Sequence, residues 1–582
     1  MSNKKCLGYL VKKYYKVNKV LMGKLTEIKG DVLYIGADLC KEALSLANRD
    51  IVLDINMQII TPDDYNCYTD TILDVLPLAV KEENCTLGKG VTRTLSGVVL
   101  MLCGKDESGE QISEAGSCEG ILSNTVRFNR PGSVDDGEII IKINFLIKSG
   151  ERMKRPGPLA CHKAAEHISE QIRAAISNLN ENDFLVRCMD KQEFSHFRNE
   201  GKPKILIVKE IMGQGAMHEK LLLPLQPCGI TGSRSNIDMG NVPLMLSPLE
   251  SIDGGVHALT CVGPSTKETT RHYFRDPLIM LALNDNDIDL CGVAFVGSPA
   301  INQQKYMVAE RLGMLAESLD VQGVIVATEG YGNNHIDFAA YLDVIGKRGI
   351  PAVGATFCGN FGPLITGNKF TKNLVDCAKS STGLENSILS DNTMVYEDAE
   401  VTLAMLKSVM KKESVLSPHR RFDSVVRERN LMKIKGTVKL FQSEIPTATM
   451  PSIIWTPVSK PLSEMKIALV TGTGVHLKND ERFMLSSDSS FRIIPADVNS
   501  KDLIVSHGGY DNTDVLTDIN SMFPIDRLRE LEKEGIIAGI APRHIGFMGG
   551  GGDLEALANR TGPAIAAILK EDGVDAAIFT AG

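Results

Sequence analysis

The chain has 582 residues, 43% hydrophobic and 23% charged, a composition typical of folded domains. At this length we expect several domains, each with its own core. A formal net charge of −9 and a single tryptophan argue against a nucleic-acid partner. No apolar run reaches membrane-spanning length and the N-terminus lacks a signal-peptide core, so we expect no membrane partner and a cytoplasmic location.

The 13 cysteines are dispersed between Cys6 and Cys377. They form no CxxC pair and show no zinc-type spacing with histidine. Such a set, without an export signal, is typical of reduced thiols. We therefore expect neither a disulfide framework nor a metal site.

Residues 1–150 have the pattern of a β-rich domain. A hairpin is predicted over 19–35, through the turn Lys29-Gly30-Asp31, and further strands are predicted at 94–102 and 138–147. A helix over 159–179 follows this region. These elements predict that the chain begins with a mostly β-strand domain.

Strands and helices then alternate within a second domain, residues 151–412. The predicted strands are 204–209, 257–262, 290–296, 322–328 and 351–356, and the predicted helices are 302–319, 335–347 and 398–412. This alternation is typical of a mainly parallel sheet that is covered by helices on both faces. The domain is therefore predicted to be doubly wound.

The rest of the chain is predicted to be a linker and a second doubly wound unit. Residues 413–464 are irregular, and the stretch Trp455-Thr-Pro-Val-Ser-Lys-Pro461 is typical of a linker. Within 465–582, strands are predicted near 466–471, 502–505, 536–541 and 575–580. The fold class is thus α/β, with a β-rich N-terminal domain followed by two mainly parallel α/β units.

Cys261 ends an apolar stretch with glycines on both sides, which let the backbone turn sharply. One interpretation is a small apolar residue at the end of a buried strand. The other is self-cleavage, in which the thiol attacks the carbonyl of Thr260 and forms a thioester. β-Elimination and hydrolysis then leave a pyruvoyl group. The chain would be divided into 1–260 and 261–582.

Two residues near Cys261 are further candidates. His257 would point to the same side of a strand as Cys261, where it could deprotonate the thiol or assist elimination. A structural histidine is the alternative. Residues 266–274 can form a helix capped by Ser265 or Thr266, with Arg271 and Arg275 on one face. An arginine fork suits the carboxylate of an amino acid, whereas surface ion pairing is the alternative.

Other candidates follow predicted strands, where ligand sites of parallel sheets are built. Glu329 and His335 lie in a loop rich in glycine and asparagine, and helix capping by Asn334 is the alternative for part of it. In the second α/β unit, His507 and Asp511 follow the strand 502–505.

Residues 253–273, centred on Thr260-Cys261, resemble the processing site of the pyruvoyl proproteins in the glycine/sarcosine/betaine/D-proline reductase family. The resemblance covers most of residues 85–440. Its strongest further stretches are 208–218, 240–249, 289–299 and 328–338, with weaker likeness at 88–93 and 155–158. The family's proprotein usually carries a longer N-terminal part. The resemblance implies that Cys261 becomes the pyruvoyl group.

Residues 465–582 resemble the N-terminal half of the family's selenoprotein subunit. In that family a selenocysteine, encoded by UGA, follows the strand and its Thr-x-Gly turn directly. The resemblance therefore implies a fusion of two subunits, with a selenocysteine expected immediately after Gly582 and absent from this sequence. No cysteine follows Cys377, which agrees with this expectation. The chain as given is then expected to be inactive.

The resemblance implies reductive ring opening of D-proline to 5-aminovalerate. A ketone can condense with the secondary amine of the substrate, a selenolate can attack the α-carbon, and a thiol can resolve the selenium adduct. The expected partners are a small amino-acid substrate, a redox donor protein or dithiol, and further copies in a homo-oligomer. Two alternatives stay open, namely a reductase for another amino acid or amine, and a catalytically silent paralogue that serves assembly.

Overall fold

A computed structural model describes the chain in two compact units, residues 1–113 with 117–443, and residues 444–582 with 114–116. The described residues are 4–82, 85–109, 112, 118–151, 156–180, 188–212, 243–258, 268–299, 302–328, 334–358, 366–379, 388–412, 460–484, 488–507, 513–548 and 554–580. No helix among them is long and apolar enough to cross a membrane.

The N-terminal region is mostly strand, as its alternating pattern predicts. Its strands are β1 (Lys4–Lys16), β2 (Lys19–Gly23), β3 (Glu27–Lys29), β4 (Val32–Gly36), β5 (Val52–Ile60), β6 (Tyr68–Thr69), β7 (Thr71–Leu76), β8 (Ala79–Lys81), β9 (Gly90–Ser96), β10 (Val98–Asp106), β11 (Gly120–Ile121) and β12 (Ile139–Ile147). Two short helices interrupt them, α1 (Leu39–Leu46) and α2 (Leu122–Thr125). The predicted hairpin is formed by β3 and β4, whereas β2 pairs with β4 in parallel.

Two four-stranded sheets share one core in this region. Their orders are β13-β1-β9-β8, in which β13 is Cys188–Asn199, and β5-β12-β10-β7. Helix α3 (Pro156–Ser177) packs its buried face against strands of both sheets. An apolar cluster that includes Leu100, Ile141 and Ile168 fills the space beneath the helix.

The centre of the first unit is a mainly parallel sheet of order β15-β16-β14-β17-β18-β19. The strands are β14 (Lys204–Met212), β15 (Leu244–Leu246), β16 (Asp289–Ser298), β17 (Gly323–Thr328), β18 (Ala352–Thr356) and β19 (Leu374–Asp376). β15 pairs with β16 in the antiparallel sense, and the other pairs are parallel. The central strands are buried on both sides, because they carry continuous apolar runs.

Helices cover both faces of this sheet, which confirms the α/β class. They are α4 (Pro248–Glu250), α5 (Thr270–Phe274), α6 (Pro277–Asn284), α7 (Asn302–Ser318), α8 (Asn334–Lys347) and α9 (Tyr396–Met410). α7 and α8 pack on one face, and α6 and α9 contribute to the core on the other face. The parallel strands follow the order 2-1-3-4-5, so ligand sites are expected at their carboxyl ends.

Two local predictions near residue 260 are wrong. Residues 257 and 258 lie in no strand, because the Ala258 N–H donates to the Thr270 side chain, 2.9 Å away, instead of to a neighbouring strand. The remainder of the predicted strand 257–262 lies outside the described residues. Helix α5 begins at Thr270, later than predicted, because Thr269 caps it by accepting the His272 N–H.

The second unit contains a mainly parallel five-stranded sheet around β20 (Lys466–Thr471). Its other strands are β22 (Phe491–Pro495), β24 (Gly539–Ile540), β25 (Arg543–Phe547) and β26 (Ala576–Thr580), and a small separate sheet contains β21 (Val475–Leu477) and β23 (Leu503–Val505). β20 pairs in parallel with β24, β25 and β26. The helices Ile525–Lys533 and Gly562–Glu571 each present an apolar stripe to a core. The predicted strand 502–505 exists, but it pairs outside the parallel sheet.

Candidate functional site

The segment between Ala258 and Glu268 carries the predicted processing pair Thr260-Cys261. Both residues lie outside the described part of the chain, as do Glu329 and Asp511. The residues on either side of the segment are described, and nearly all of them are buried. The geometry of these two flanks defines the candidate site.

Asp74 is the central acceptor on the first flank. It lies in β7 and is fully buried. Its Oδ1 accepts the Thr270 N–H at 2.9 Å, and its Oδ2 accepts the Thr270 hydroxyl at 2.5 Å. Thr270 Oγ1 in turn accepts the Ala258 N–H at 2.9 Å. The backbone before the processing segment is therefore linked to the backbone after it through the Thr270 hydroxyl, which the Asp74 carboxylate holds.

Two histidines lie against the same carboxylate. His162 Nδ1 donates to the Pro158 carbonyl at 2.9 Å, and its Nε2 is 3.3 Å from Asp74 Oδ2. His257 Nε2 is 3.8 Å from the same oxygen. Burial, with a smaller contribution from His162, lowers the pKa of His257 to about 3. His257 is therefore neutral at pH 7, which makes it a weak base but leaves a lone pair that can accept a hydrogen bond.

Lysines from the N-terminal strands hold the same flank. Lys12 Nζ donates to the carbonyl of Ile252 at 2.5 Å and to that of Phe274 at 2.7 Å, so it also spans the processing segment. Lys81 Nζ is 2.7 Å from Asp253 Oδ2, and both side chains are fully buried. Burial raises the pKa of Asp253, and the ammonium of Lys81 opposes that rise.

A buried cluster of charges forms the second flank. Lys209 Nζ lies 2.8 Å from Glu268 Oε1 and 2.9 Å from Asp276 Oδ2. His272 Nε2 is 3.1 Å from Glu268 Oε1. Burial opposes the charged form of Lys209, but Asp276 and Glu268 outweigh it and raise the pKa of the ammonium. Burial likewise opposes the Glu268 carboxylate, yet His272 and Lys209 hold its pKa well below its usual range.

Each flank brings three possible metal ligands together. The atoms of Asp74, His162 and His257 lie within 4.8 Å of one another, as do those of Glu268, His272 and Asp276. In the second group the Lys209 ammonium pairs with both carboxylates. In the first group, Asp74 accepts a hydrogen bond from Thr270, and His162 donates one to the Pro158 carbonyl.

Arg271 is paired inside the protein. Its Nη1 and Nη2 contact the two carboxylate oxygens of Glu138 at 2.6 and 2.7 Å, and Nη2 is 3.1 Å from Asp135. Arg275 also contacts Asp135. Both guanidinium groups line a cavity of about 530 Å³, together with Tyr14 and others. Arg271 is therefore ion-paired, but in a buried pair and not in the surface pair of the alternative, and a substrate carboxylate would compete with Glu138 for it.

His335 lies near the carboxyl ends of β17 and β18. Its Nε2 is 3.1 Å from Thr356 Oγ1, and the side chain is buried. Asn334 donates to Thr328 Oγ1 at 3.0 Å, so this asparagine ties the start of α8 to the end of β17. The structure therefore places His335 at the edge where ligand sites of such sheets form, while its role stays a prediction.

In the second unit, His507 lies beside a Ser–His pair. His476 Nδ1 donates to the Leu477 carbonyl at 2.7 Å, so Nε2 can accept the Ser506 hydroxyl at 2.9 Å. Burial lowers the pKa of His507 to about 4. At the ends of β20 and β26, Thr580 Oγ1 donates to Thr471 Oγ1 at 2.7 Å. Hydroxyl and imidazole groups thus gather at the carboxyl ends of strands in this unit.

The sequence analysis missed the residues that hold the described flanks of the processing segment. Besides Lys12, Lys81 and Thr270, they are Asp74, His162, Lys209, Glu268, His272 and Asp276. Asp74 and Lys209 carried a usable signal, because each is a charged residue inside an apolar strand. A charge in such a run is costly unless it is paired, which makes it a candidate for a buried network. The other four have no comparable signal.

Two family models match the chain. Residues 9–381 match the glycine/sarcosine/betaine reductase component B subunits, and residues 343–582 match glycine/sarcosine/betaine reductase selenoprotein B. No solved structure matches the chain.

Curated relatives also match the chain. The chain is 48% identical over 427 residues to the D-proline reductase proprotein PrdA of Acetoanaerobium sticklandii, covering 73% of this chain and 67% of that protein. It is 58% identical over 145 residues to D-proline reductase subunit gamma of the same organism, covering 25% of this chain and 60% of that subunit. It is also 31% identical over 258 residues to glycine reductase complex component B subunit gamma of Carboxydothermus hydrogenoformans, covering 41% of this chain and 56% of that subunit.

Lys209→Met should destabilise the first unit strongly. The change leaves the buried carboxylates of Glu268 and Asp276 without their ammonium, which costs about 3–5 kcal/mol. Lys204→Met is the matched control in the same strand, since its partner Asp320 is 3.9 Å away and 86% exposed. The control should change the free energy of unfolding by about 0–1 kcal/mol. Urea denaturation followed by circular dichroism measures both, and equal effects would contradict the assignment.

The second unit should lose stability as the pH falls from about 6.5 towards 4. Burial lowers the pKa of His507 and of His544 from 6.5 to about 4, so the unfolded chain takes up protons that the folded chain does not. The stabilisation is complete above pH 6.5 and declines below it. Thermal unfolding of His544→Asn between pH 7 and 4.5 should show a shallower decline. His167→Asn, a change at a more exposed histidine in the first unit, is the control and should keep the original slope.

Proposed function

The chain belongs to the family of glycine/sarcosine/betaine reductase component B subunits, which includes D-proline reductase subunits, and from this premise we propose that it reduces D-proline to 5-aminovalerate. The reaction breaks one carbon–nitrogen bond and consumes two electrons and two protons. A dithiol or a redox donor protein supplies the electrons and is oxidised to a disulfide. The proposal includes a pyruvoyl group derived from Cys261.

The observation that carries this proposal is the anchoring of both flanks of Thr260-Cys261. Ala258 and Thr270 are hydrogen-bonded to each other, and Lys12 joins Ile252 to Phe274. A thiol attacks the preceding carbonyl only when the backbone holds the two groups together.

The residues present fit a pyruvoyl group in their chemistry. Such a group supplies an electron-withdrawing carbonyl to the substrate nitrogen. The neutral imidazole of His257 is suited to accept a hydrogen bond or to move a proton during elimination, and the paired Asp74 holds the opposite side of the cluster. The low pKa of His257 makes it a poor base for a free thiol, so we assign it proton relay rather than permanent deprotonation of Cys261.

We propose a selenol as the nucleophile that attacks the α-carbon of the substrate. The match of residues 343–582 to a selenoprotein model supports this part of the proposal. His507, beside the Ser506–His476 pair, is the residue that we propose for proton transfer in that unit. Arg271, Glu329, His335 and Asp511 remain candidates for substrate binding, and for Arg271 this role requires release from Glu138.

The chain should be cleaved between Thr260 and Cys261. Intact mass of the purified protein should show two fragments, the larger of which is blocked to Edman degradation and reacts with carbonyl reagents. Cys261→Ala should abolish cleavage because it removes the nucleophile, and Cys261→Ser should slow it because oxygen is the poorer nucleophile. Cys291→Ala, in strand β16, is the matched control and should be cleaved normally. A single uncleaved mass for the original sequence would contradict the proposal.

Reduction of D-proline should require both the processed cysteine and a selenol. We expect no turnover by the 582-residue chain with a dithiol donor, and turnover by a version extended with selenocysteine after Gly582. 5-Aminovalerate is measured by mass spectrometry, with glycine, sarcosine and betaine as competing substrates. Turnover of one of those substrates alone would favour the alternative reductase. Cleavage without turnover of any substrate by the extended chain would favour the assembly paralogue.

A further inference from the structure

We propose that Asp74, His162 and His257 bind a divalent transition-metal ion, a role that goes beyond the proposed function and does not depend on cleavage of the chain. The three residues come from strand β7, helix α3 and the backbone that leads to Ala258. They are too far apart in sequence to form a spacing motif, so only the fold brings them together. An ion bound to all three would fasten these elements to one another.

The ligand atoms of the three side chains lie close together. His162 Nε2 is 3.3 Å from Asp74 Oδ2, and His257 Nε2 is 3.8 Å from the same oxygen. All three atoms lie within 4.8 Å of one another. Zinc bonds to nitrogen and oxygen are about 2.0–2.2 Å long, so neighbouring ligands of a tetrahedral ion are roughly 3.3–3.6 Å apart. The first distance already fits, and movement of the His257 ring by about 1 Å would bring the third ligand into place.

The hydrogen bonding of His162 points to a cation between these groups. Its Nδ1 lies 2.9 Å from the Pro158 carbonyl, which can only accept, so Nδ1 carries the proton. In the neutral imidazole, Nε2 then presents a lone pair to the carboxylate oxygen of Asp74, which repels it. A second proton on His162 relieves this repulsion for one pair of atoms. A metal ion relieves it for the carboxylate and both imidazoles at once.

The ligands are held by contacts that metal ligands in proteins commonly make. Histidine ligands usually donate their second ring N–H to a carbonyl or a carboxylate, as His162 does to Pro158. The Oδ1 atom of Asp74 accepts the N–H groups of Val75 and Thr270 at 2.8 and 2.9 Å. Its Oδ2 atom accepts the Thr270 hydroxyl and keeps a second lone pair for an ion. Two imidazoles and one carboxylate are a donor set of zinc sites that leave the fourth position open.

Charge distinguishes this group from the other cluster of possible ligands. Glu268, His272 and Asp276 also bring their ligand atoms within 4.8 Å of one another. The Lys209 ammonium, however, lies 2.8 Å from Glu268 and 2.9 Å from Asp276, so it supplies a cation to both carboxylates. An ion could bind there only by displacing a buried lysine. The group around Asp74 is therefore the one to which we assign the ion.

The neighbours of His257 are compatible with an ion. Arg173 on α3 acts on His257 electrostatically and would repel a cation, but it is paired with Glu170 at 2.7 Å, which offsets its charge. An imidazole that holds an ion cannot relay a proton through the same nitrogen. Metal binding and the proton relay proposed above therefore belong to different states of the protein.

The test uses the 582-residue chain, stripped of metal with a chelator, and Zn²⁺ alone as the ligand. One equivalent of Zn²⁺ should resist a competing chelator and raise the thermal midpoint of unfolding. Asp74→Asn, His162→Asn and His257→Asn should each weaken this binding about 100-fold or more and abolish the rise. His196→Asn is the matched control, because His196 is a buried histidine that contacts the Leu290 carbonyl at 2.8 Å and lies outside the cluster.

Cobalt separates this site from adventitious binding by the cysteines. Co²⁺ held by nitrogen and oxygen gives weak visible bands, whereas a thiolate site adds an intense sulfur-to-cobalt absorption. The original chain should show the weak bands alone for the tightly bound equivalent. This spectrum requires no substitution, so it decides the outcome if a variant does not fold.

Three results would overturn the assignment. The first is that the original chain retains no Zn²⁺ against the chelator, or holds its tight equivalent through sulfur. The second is that the variants of Asp74, His162 and His257 bind Zn²⁺ as tightly as the original chain. The third is that His272→Asn removes the binding, which would place the ion in the other cluster. An uncleaved chain that binds Zn²⁺ as expected would contradict the proposed function but not this site.

Discussion

The buried polar groups of the described residues 250–258 and 268–276 take many of their partners from the N-terminal strands, and this constraint organises the first unit. Lys12, Lys81 and Asp74 supply the partners, and all three come from the N-terminal strands. An unpaired charge in such a place would cost several kcal/mol. The β-rich region and the parallel sheet must therefore fold against each other, because each completes the polar contacts of the other.

The overall fold could be predicted because its signals are local. The helix predicted at 302–319 is Asn302–Ser318, and the strand predicted at 322–328 is Gly323–Thr328, since apolar periodicity fixes both. The Asp74–Thr270 contact could not be predicted, because 196 positions separate the two residues. Residues 257 and 258, predicted as the start of a strand, differ for a similar reason, because the side chain of Thr270 accepts the Ala258 N–H.

The candidate site residues were chosen by residue type, but what each side chain can do depends on its surroundings in the fold. Arginine suits a site that binds a substrate carboxylate, but in the structure Arg271 is paired with the carboxylate of Glu138. His257 was chosen as a base, and its burial leaves it neutral with a pKa of about 3. Sequence shows which groups a residue offers. Only packing shows whether those groups are already engaged and how burial changes their protonation.

Strand β14 has a topological consequence. It precedes Thr260 in sequence, yet it lies between β16 and β17, which both follow Cys261. A cut at that bond would leave the middle strand of the sheet on one polypeptide and its two neighbours on the other. The two products would be interleaved through main-chain hydrogen bonds and a shared core, as in a split protein reassembled from its halves. They could part only by unfolding, so dilution alone would not separate them.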